Sequence, residues 1–423
     1  MELQRGFEGY VERLAQTLGH ADRVGPLRDY TRGLMLSGER KSVEPMAALV
    51  APAEVSAKHQ SLHHFVAQAE WSDAALLEEV RAMVVPQMGT LEAWIIDDTG
   101  YPKKGRHSVG VARQYCGQLG KQDNCQVAVS LSVANDGASL PIAYQLYLPK
   151  EWADDEPRRA KTQVPEEIAF ATKTALALRQ LRAACRAKVP RGVVLADAGY
   201  GNDTDFRSGI RKLGLSYAVG IQSTTTVWAE GETPLPPKRY SGHGRPPSRP
   251  RRNPRHAPQP VKKLAEQLPT RHYRAVRWRE GERGWLTSRF ARVRVRAAHR
   301  DEGHPEEWLL IEWPSEQTAP TKYWLSTVPH HVSFRDLVRL TKLRWRIERD
   351  YQELKQELGL GHYEGRNWRG FHHHASLCIA AYGFLVGSRL RRGKKNSIAL
   401  ADLGLEAPRP PKNFVPRGSP RAA

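Results

Sequence analysis

The chain has 423 residues, 40% of them hydrophobic, and its 65 Lys and Arg against 45 Asp and Glu give a formal net charge of +20. That apolar content excludes wholesale disorder, and the length predicts two or three domains of roughly 100 to 200 residues each. The basic excess predicts a polyanionic partner, because Lys and Arg neutralise phosphates and release counterions.

Residues 1–90 read as helical, with apolar positions recurring at three and four in FEGYVERLAQTL, VGPLRDYTRGLML and SDAALLEEVRAMVV. Ser72 and Asp73 supply an N-cap for the last run. Arg40 and Lys41 precede a short amphipathic turn, which leaves two readings open, a packed bundle or a DNA-contacting head. From residue 91 the pattern changes to strands: AWIIDD ends in acids at Asp97 and Asp98, and 124–149 reads as a hairpin turning at Asn135, Asp136 and Gly137. A helix is predicted over 165–188 with Pro165 in its first turn. The strand GVVLAD closes at Asp197. Asn202 or Asp203 caps the next helix, Gly214 stops it, and a strand follows at 216–221. This order of strands and helices predicts an α/β layer arrangement.

The segment 234–263 holds nine prolines, nine Lys or Arg and no acid, which predicts an exposed basic loop. Around it, runs such as HYRAVRWRE, RFARVRVRAA and EEWLLIEWP alternate at period two, so 222–332 is expected to be a β-rich insertion. Helix returns at Ser333, where Leu337, Leu340, Ile347, Tyr351, Leu354 and Leu358 form one apolar stripe ended by Gly359. A last apolar helix over 374–391 precedes a basic tail, 392–423, expected to be disordered. The longest charge-free apolar stretch, 375–387, is shorter than the roughly 20 residues that span a bilayer. With no apolar signal segment at the N-terminus, a soluble, cytoplasmic protein without a membrane partner is expected. Cys116, Cys125, Cys185 and Cys378 show no CxxC pairing and no zinc spacing, and read as buried or idle thiols. His372, His373 and His374 are consecutive, so on a helix they point in three directions and form no ligand set.

Phosphoryl transfer on DNA commonly uses two divalent metals held by carboxylates at the ends of rigid elements. Asp98, Asp197 and Glu348 sit where that would work, and strands ending at Asp98 and Asp197 can lie side by side. An acid at a strand end is more often a turn or cap former. Asp197, however, follows four apolar residues and precedes Gly199 and Gly201, where backbone can turn closely. Successive strand side chains face opposite ways, so only one of Asp97 and Asp98 can meet metals. The other is free to bond a nearby amide such as that of Gly100, or to meet Lys103 and Lys104. Arg344, Glu348, Tyr351 and Lys355 share one helix face. GYPKKG lacks the spacing of a phosphate loop, which excludes that class of NTPase.

With Arg344, Glu348 and Lys355 in this spacing, RWRIERDYQELK resembles the signature of bacterial insertion-sequence DDE transposases in the branch with a Tyr, Arg, Glu, Lys motif. The segments IIDDTGYPKKGRHSVGVARQYCGQLGKQDNCQVAVSL and VVLADAGYG resemble its two Asp regions. The resemblance implies a ribonuclease H-like core over 91–221 and 333–391, interrupted by the insertion at 222–332 and preceded by an N-terminal helical DNA-binding domain at 1–90. It implies that Asp98, chosen over Asp97 because it directly precedes a Thr, joins Asp197 and Glu348 in binding two Mg²⁺, with Mn²⁺ able to substitute. Arg344 and Lys355 would hold DNA phosphates. The family's Tyr falls at Thr341, a departure that leaves that contact either missing or supplied by Tyr351, and Lys103 and Lys104 would meet phosphate beside the first strand. The implied activity is cleavage at element ends and strand transfer, on double-stranded terminal inverted repeats and target DNA. A homodimer on DNA and a nucleoid-associated location in a bacterial cytoplasm are further implications. A nuclease of the same fold that cuts without joining, and a domesticated non-catalytic DNA-binding regulator, are the rival expectations.

Overall fold

The computed structural model describes residues 2–248, 250–281, 284–299 and 304–393, so all but the first two residues of the expected basic tail at 392–423 lie outside the described residues. Five helices open the chain: α1 (Glu2–Ala15), α2 (Val24–Met35), α3 (Val43–Val50), α4 (Val55–Ala67) and α5 (Asp73–Val84). Helix α4 is not anticipated by the periodicity, because its sequence intersperses polar residues; it forms because Leu62, Phe65 and Val66 are fully buried among its neighbours. Ser72 caps α5, its hydroxyl accepting from the Ala75 amide at 3.1 Å.

The next segment is antiparallel, with β1 (Ala93–Pro102), β2 (Ala112–Cys116) and β4 (Ser139–Leu146) all pairing with the central β3 (Lys121–Ala134). The expected turn at Asn135 is present, with its Oδ1 accepting from the Gly137 and Ala138 amides. Strand β2 is an addition to the predicted elements, and β1 runs on to Pro102, so Asp98 lies within the strand rather than at its end. After the short helices α6 (Lys150–Ala153) and α7 (Glu156–Lys161), helix α8 covers only Lys173–Arg186. Residues 165–172 are not helical, because the Arg159 guanidinium binds the carbonyls of Pro165 and Ile168 at 2.9 and 2.7 Å, and Thr172 caps α8 instead. Strand β5 (Val193–Ala196), turn-like α9 (Ala198–Gly201), helix α10 (Thr204–Lys212) and strand β6 (Tyr217–Ile221) follow, with Asp203 as the α10 cap and Gly214 at a φ of 66°.

The insertion contributes β7 (Thr226–Ala229), β8 (Gln259–Pro260), α11 (Val261–Gln267), β9 (Arg274–Gly281), β10 (Gly284–Ala297), β11 (Glu306–Trp313) and β12 (Lys322–Ser326). The expected loop 234–263 thus ends early: its last residues enter α11, with Val261 fully buried. These strands continue the core sheet. The order is β2-β3-β1-β5-β6-β12-β11-β10-β7-β8, with β4 on β3 and β9 on β10. β1, β5 and β6 pair in parallel, and β12 joins β6 antiparallel.

The helix predicted from Ser333 as one piece is broken into α12 (Phe334–Lys342) and α13 (Trp345–Gln352), followed by a π-helical turn at Glu353–Glu357. Its stripe serves three surfaces. Leu337 and Leu340 pack with Val276, Phe290 and Leu310 on the insertion, Ile347 and Tyr351 pack on β1 and β5, and Leu354 and Leu358 enter the main core. A straight helix could not follow that path, so the chain bends at Leu343 and Arg344. Helix α14 (Trp368–Arg391) returns through the N-terminal helices and starts six residues earlier than predicted, capped by Asn367.

The three histidines are buried ties for α14. His372 accepts from the Leu146 amide, His373 stacks on Trp71 at 3.6 Å and faces the Val66 and Trp71 carbonyls, and His374 bonds Tyr30 and the Gly359 carbonyl. Among the described residues no helix is long and apolar enough to cross a membrane.

The turn after β5 depends on close backbone approach. A Cβ on Gly201 would stand 1.9 Å from the Gly220 carbonyl oxygen of β6. Gly201→Ala is therefore expected to lower stability by about 3 kcal/mol through overpacking, read as an earlier midpoint in urea unfolding; an unchanged midpoint would show that the two segments separate freely.

Candidate active site

Parallel pairing aligns two apolar runs that each end in an acid. Ala93 lies opposite Val193, Trp94 opposite Val194 and Ile95 opposite Leu195, so two residues further along Asp97 stands beside Asp197. Alternation of side chains places both acids on the face that also carries Ala93, Ile95 and Leu195, the face covered by Leu343, Ile347 and Tyr351. That face meets α13, which carries Glu348. The Asp98 side chain takes the other face, with Lys173 Nζ at 3.0 Å and the Tyr200 hydroxyl at 3.2 Å from its Oδ2. The structure therefore brings Asp97, not Asp98, toward Asp197 and Glu348.

Asp97 is tightly held. Its Oδ1 accepts from the Asp98 amide at 2.9 Å and its Oδ2 pairs with Arg344 Nη1 at 2.9 Å. Burial raises its carboxyl, the Arg344 charge opposes this, and the charges of Asp197 and Asp98 add to the rise, which together bring it to about 7. Asp197 caps α9, its Oδ1 accepting from the Gly199 and Tyr200 amides at 2.9 and 3.4 Å. Glu348 is exposed and pairs with Arg344 Nη2 at 2.9 Å. Arg344 thus links Asp97 to Glu348 from the N-cap of α13. The opposite face of α13 is anchored by Asp350, which is fully buried and accepts from Ser139 and from Tyr382.

The remaining predicted residues are spread along the same edge. Lys355 Nζ donates to the Gly100 carbonyl at 2.9 Å and lies 5.0 Å from the Tyr101 ring centre; burial brings its ammonium down to about 8. Lys103 donates to the Tyr363 carbonyl at 2.9 Å, and Lys104 is exposed. Tyr351 cannot serve as the expected DNA contact. It is buried, with its hydroxyl 2.7 Å from that of Ser130, because its position on α13 faces β3 rather than solvent. Thr341 is also buried and bonds the Leu337 carbonyl, so neither residue offers a phosphate contact.

The donor chemistry suits a hard divalent cation, since Asp97, Asp197 and Glu348 offer only carboxylate oxygens. They are not drawn to one point. Among the described residues no group of three His, Cys, Asp or Glu side chains is gathered closely enough to hold a metal, and Arg344 is what stands between Asp97 and Glu348. The sequence reading weighed Asp97 against Asp98 and favoured Asp98; the parallel alignment of AWIID with VVLAD is the signal that points to Asp97.

A family model described as DDE superfamily endonuclease matches residues 13–285. The match takes in Asp97 and Asp197 and stops before Glu348. The probable transposase for insertion sequence element IS701 of Microchaete diplosiphon is similar to the chain, 25% identical over 328 residues that cover 76% of this chain and 71% of that protein.

The Asp97 carboxyl has a testable signature. Its value near 7 lies above the ordinary 3.8, so the folded chain holds this proton more tightly than the unfolded one. Its contribution then weakens folding progressively as pH rises from about 4 to 7 and is level above that. Asp97→Asn should remove that slope when unfolding free energies from urea melts are compared between pH 5 and 8. Parallel curves for the two proteins would contradict it.

Proposed function

The chain belongs to the DDE superfamily of endonucleases, and from that premise we propose that it is an insertion-sequence transposase, cutting DNA at the ends of its element and joining the freed 3′ ends to target DNA. The observation that carries this reading is the in-register placement of Asp97 beside Asp197, under a helix that presents Glu348. We assign the carboxylate triad to Asp97, Asp197 and Glu348, replacing Asp98.

The residues divide the work by chemistry. Asp97, Asp197 and Glu348 would hold two Mg²⁺, with Mn²⁺ as a substitute; such ions activate the attacking oxygen and neutralise charge building on the phosphate. Arg344 presents a planar fork suited to a phosphodiester, and Lys355 a point charge held at the rim by the Gly100 carbonyl. Lys104, exposed beyond the end of β1, extends the positive track, and the Pro- and Arg-rich segment from 234 to 258 adds backbone affinity that would fall steeply with salt. Asp98 keeps a positioning role, tying β1 through Tyr200 to the turn that Asp197 caps.

The N-terminal helices, together with the insertion, are the proposed readers of the terminal inverted repeats, and joining two ends implies a homodimer on DNA. The similarity to the IS701 transposase supports strand transfer over simple cutting.

The decisive assay compares wild type with Glu348→Gln on supercoiled DNA carrying the element and its native flanks, in Mg²⁺, scored for end cleavage and for strand-transfer products. Wild type should yield both, and the variant should bind ends while cutting at least about a hundredfold more slowly. Cutting without joining would identify a nuclease, and binding alone a regulator.

A further inference from the structure

The cation that neutralises the carboxylates in this structure is part of the chain itself. Arg344 reaches Oδ2 of Asp97 and Oε1 of Glu348, both at 2.9 Å, with one nitrogen to each. The other oxygen of Asp97 is taken by the Asp98 amide at 2.9 Å. Both Asp97 oxygens are thus engaged before any outside ion arrives. A divalent ion drawn to these carboxylates would meet a positive charge at contact distance, bridging a partly buried Asp97 and an exposed Glu348. Guanidinium and metal compete for the same electron pairs.

Resting on the assignment of Asp97, Asp197 and Glu348 made above, we infer that Arg344 is a resident counter-cation which must leave Asp97 and Glu348 for divalent metal to bind, and that a phosphodiester of bound DNA is what draws it away. A guanidinium fork matches a phosphate as well as it matches a carboxylate, and pairs with either through two parallel hydrogen bonds. Its position favours such a switch. Arg344 caps α13 where the chain bends between α12 and α13, and Glu348, one turn along, is exposed, so the side chain has open space on one side. Binding energy from the DNA backbone is then spent on releasing the acids. Metal affinity and DNA engagement become coupled, and by linkage each strengthens the other.

The test measures Mn²⁺ alone binding to the full chain, followed through loss of the free-ion electron paramagnetic resonance signal. Arg344→Gln and Arg344→Lys are each expected to bind Mn²⁺ about tenfold more tightly than wild type, within the usual range for such coupling. Lys keeps the charge but lacks the fork that bridges both acids, so a Lys variant that behaves as wild type would reduce the effect to net charge and overturn the inference. Equal affinity in wild type and Arg344→Gln would overturn it as well. Sodium sulfate serves as the phosphate-like probe, at ionic strength held constant with chloride. It should tighten Mn²⁺ binding to wild type and leave Arg344→Gln unchanged; no tightening in wild type would reject the role given to the oxyanion. Asp97→Asn separates the two levels: undiminished Mn²⁺ binding there would remove the site assignment itself, whereas lost binding with unchanged Arg344 variants would remove only the competition.

Discussion

Parallel pairing of two short strands imposes the governing constraint on this molecule. Once Ile95 is fixed opposite Leu195, two acids must sit side by side, partly out of water, and their mutual repulsion has to be met by positive charge. Burying a carboxylate without a partner is costly. The chain meets that requirement with backbone amides at the Asp197 cap and with the Arg344 guanidinium, and it keeps a second, separate balance on the reverse face, where Lys173 and Tyr200 hold Asp98. Adjacent residues of one strand thereby serve opposite purposes.

The insertion is a support as much as an appendage. Because β12 pairs with β6, the core sheet runs straight into the inserted strands. The joint is fastened by buried polar groups: Glu307 of β11 accepts from Tyr217 of β6 and pairs with Arg211 of α10, and Glu312 of β11 pairs with Lys342 of α12, whose ammonium sits over Trp278 and Trp324. Buried pairs of this kind add little net stability, but removing one partner leaves the other's charge uncompensated. Helix α12 lies on the inserted strands and α13 on the core strands of the one sheet, so the position of Glu348 is set by how the inserted strands join the core.

Much of this was legible in the sequence, and what was not had physical reasons. Apolar alternation, the Ser72 and Asp203 caps and the Asn135 turn are local signals, and they appear where local chemistry put them. The mixed α/β layering and the adjacency of the β1 and β5 strands also followed from element order. Failures came where distant partners decide. Residues 165–172 lost their helix to the side chain of Arg159; the late stripe broke because it serves three surfaces at once; and Tyr351, on the same helical face as Glu348 by spacing, points into the core, where its hydroxyl meets that of Ser130. Which of Asp97 and Asp98 faces Asp197 depends on strand register, which no reading of a single strand contains.

Continuity of the sheet also orders events in time. Glu348 reaches the chain's exit from synthesis 151 positions after Asp197, and the surface that seats its helix is built from the residues in between. Until β12 has closed the long loop back to β6, a contact whose entropic cost grows with the intervening length, the two aspartates have no third partner. The helix that carries Glu348 can therefore settle only on a surface that the inserted strands have helped to complete.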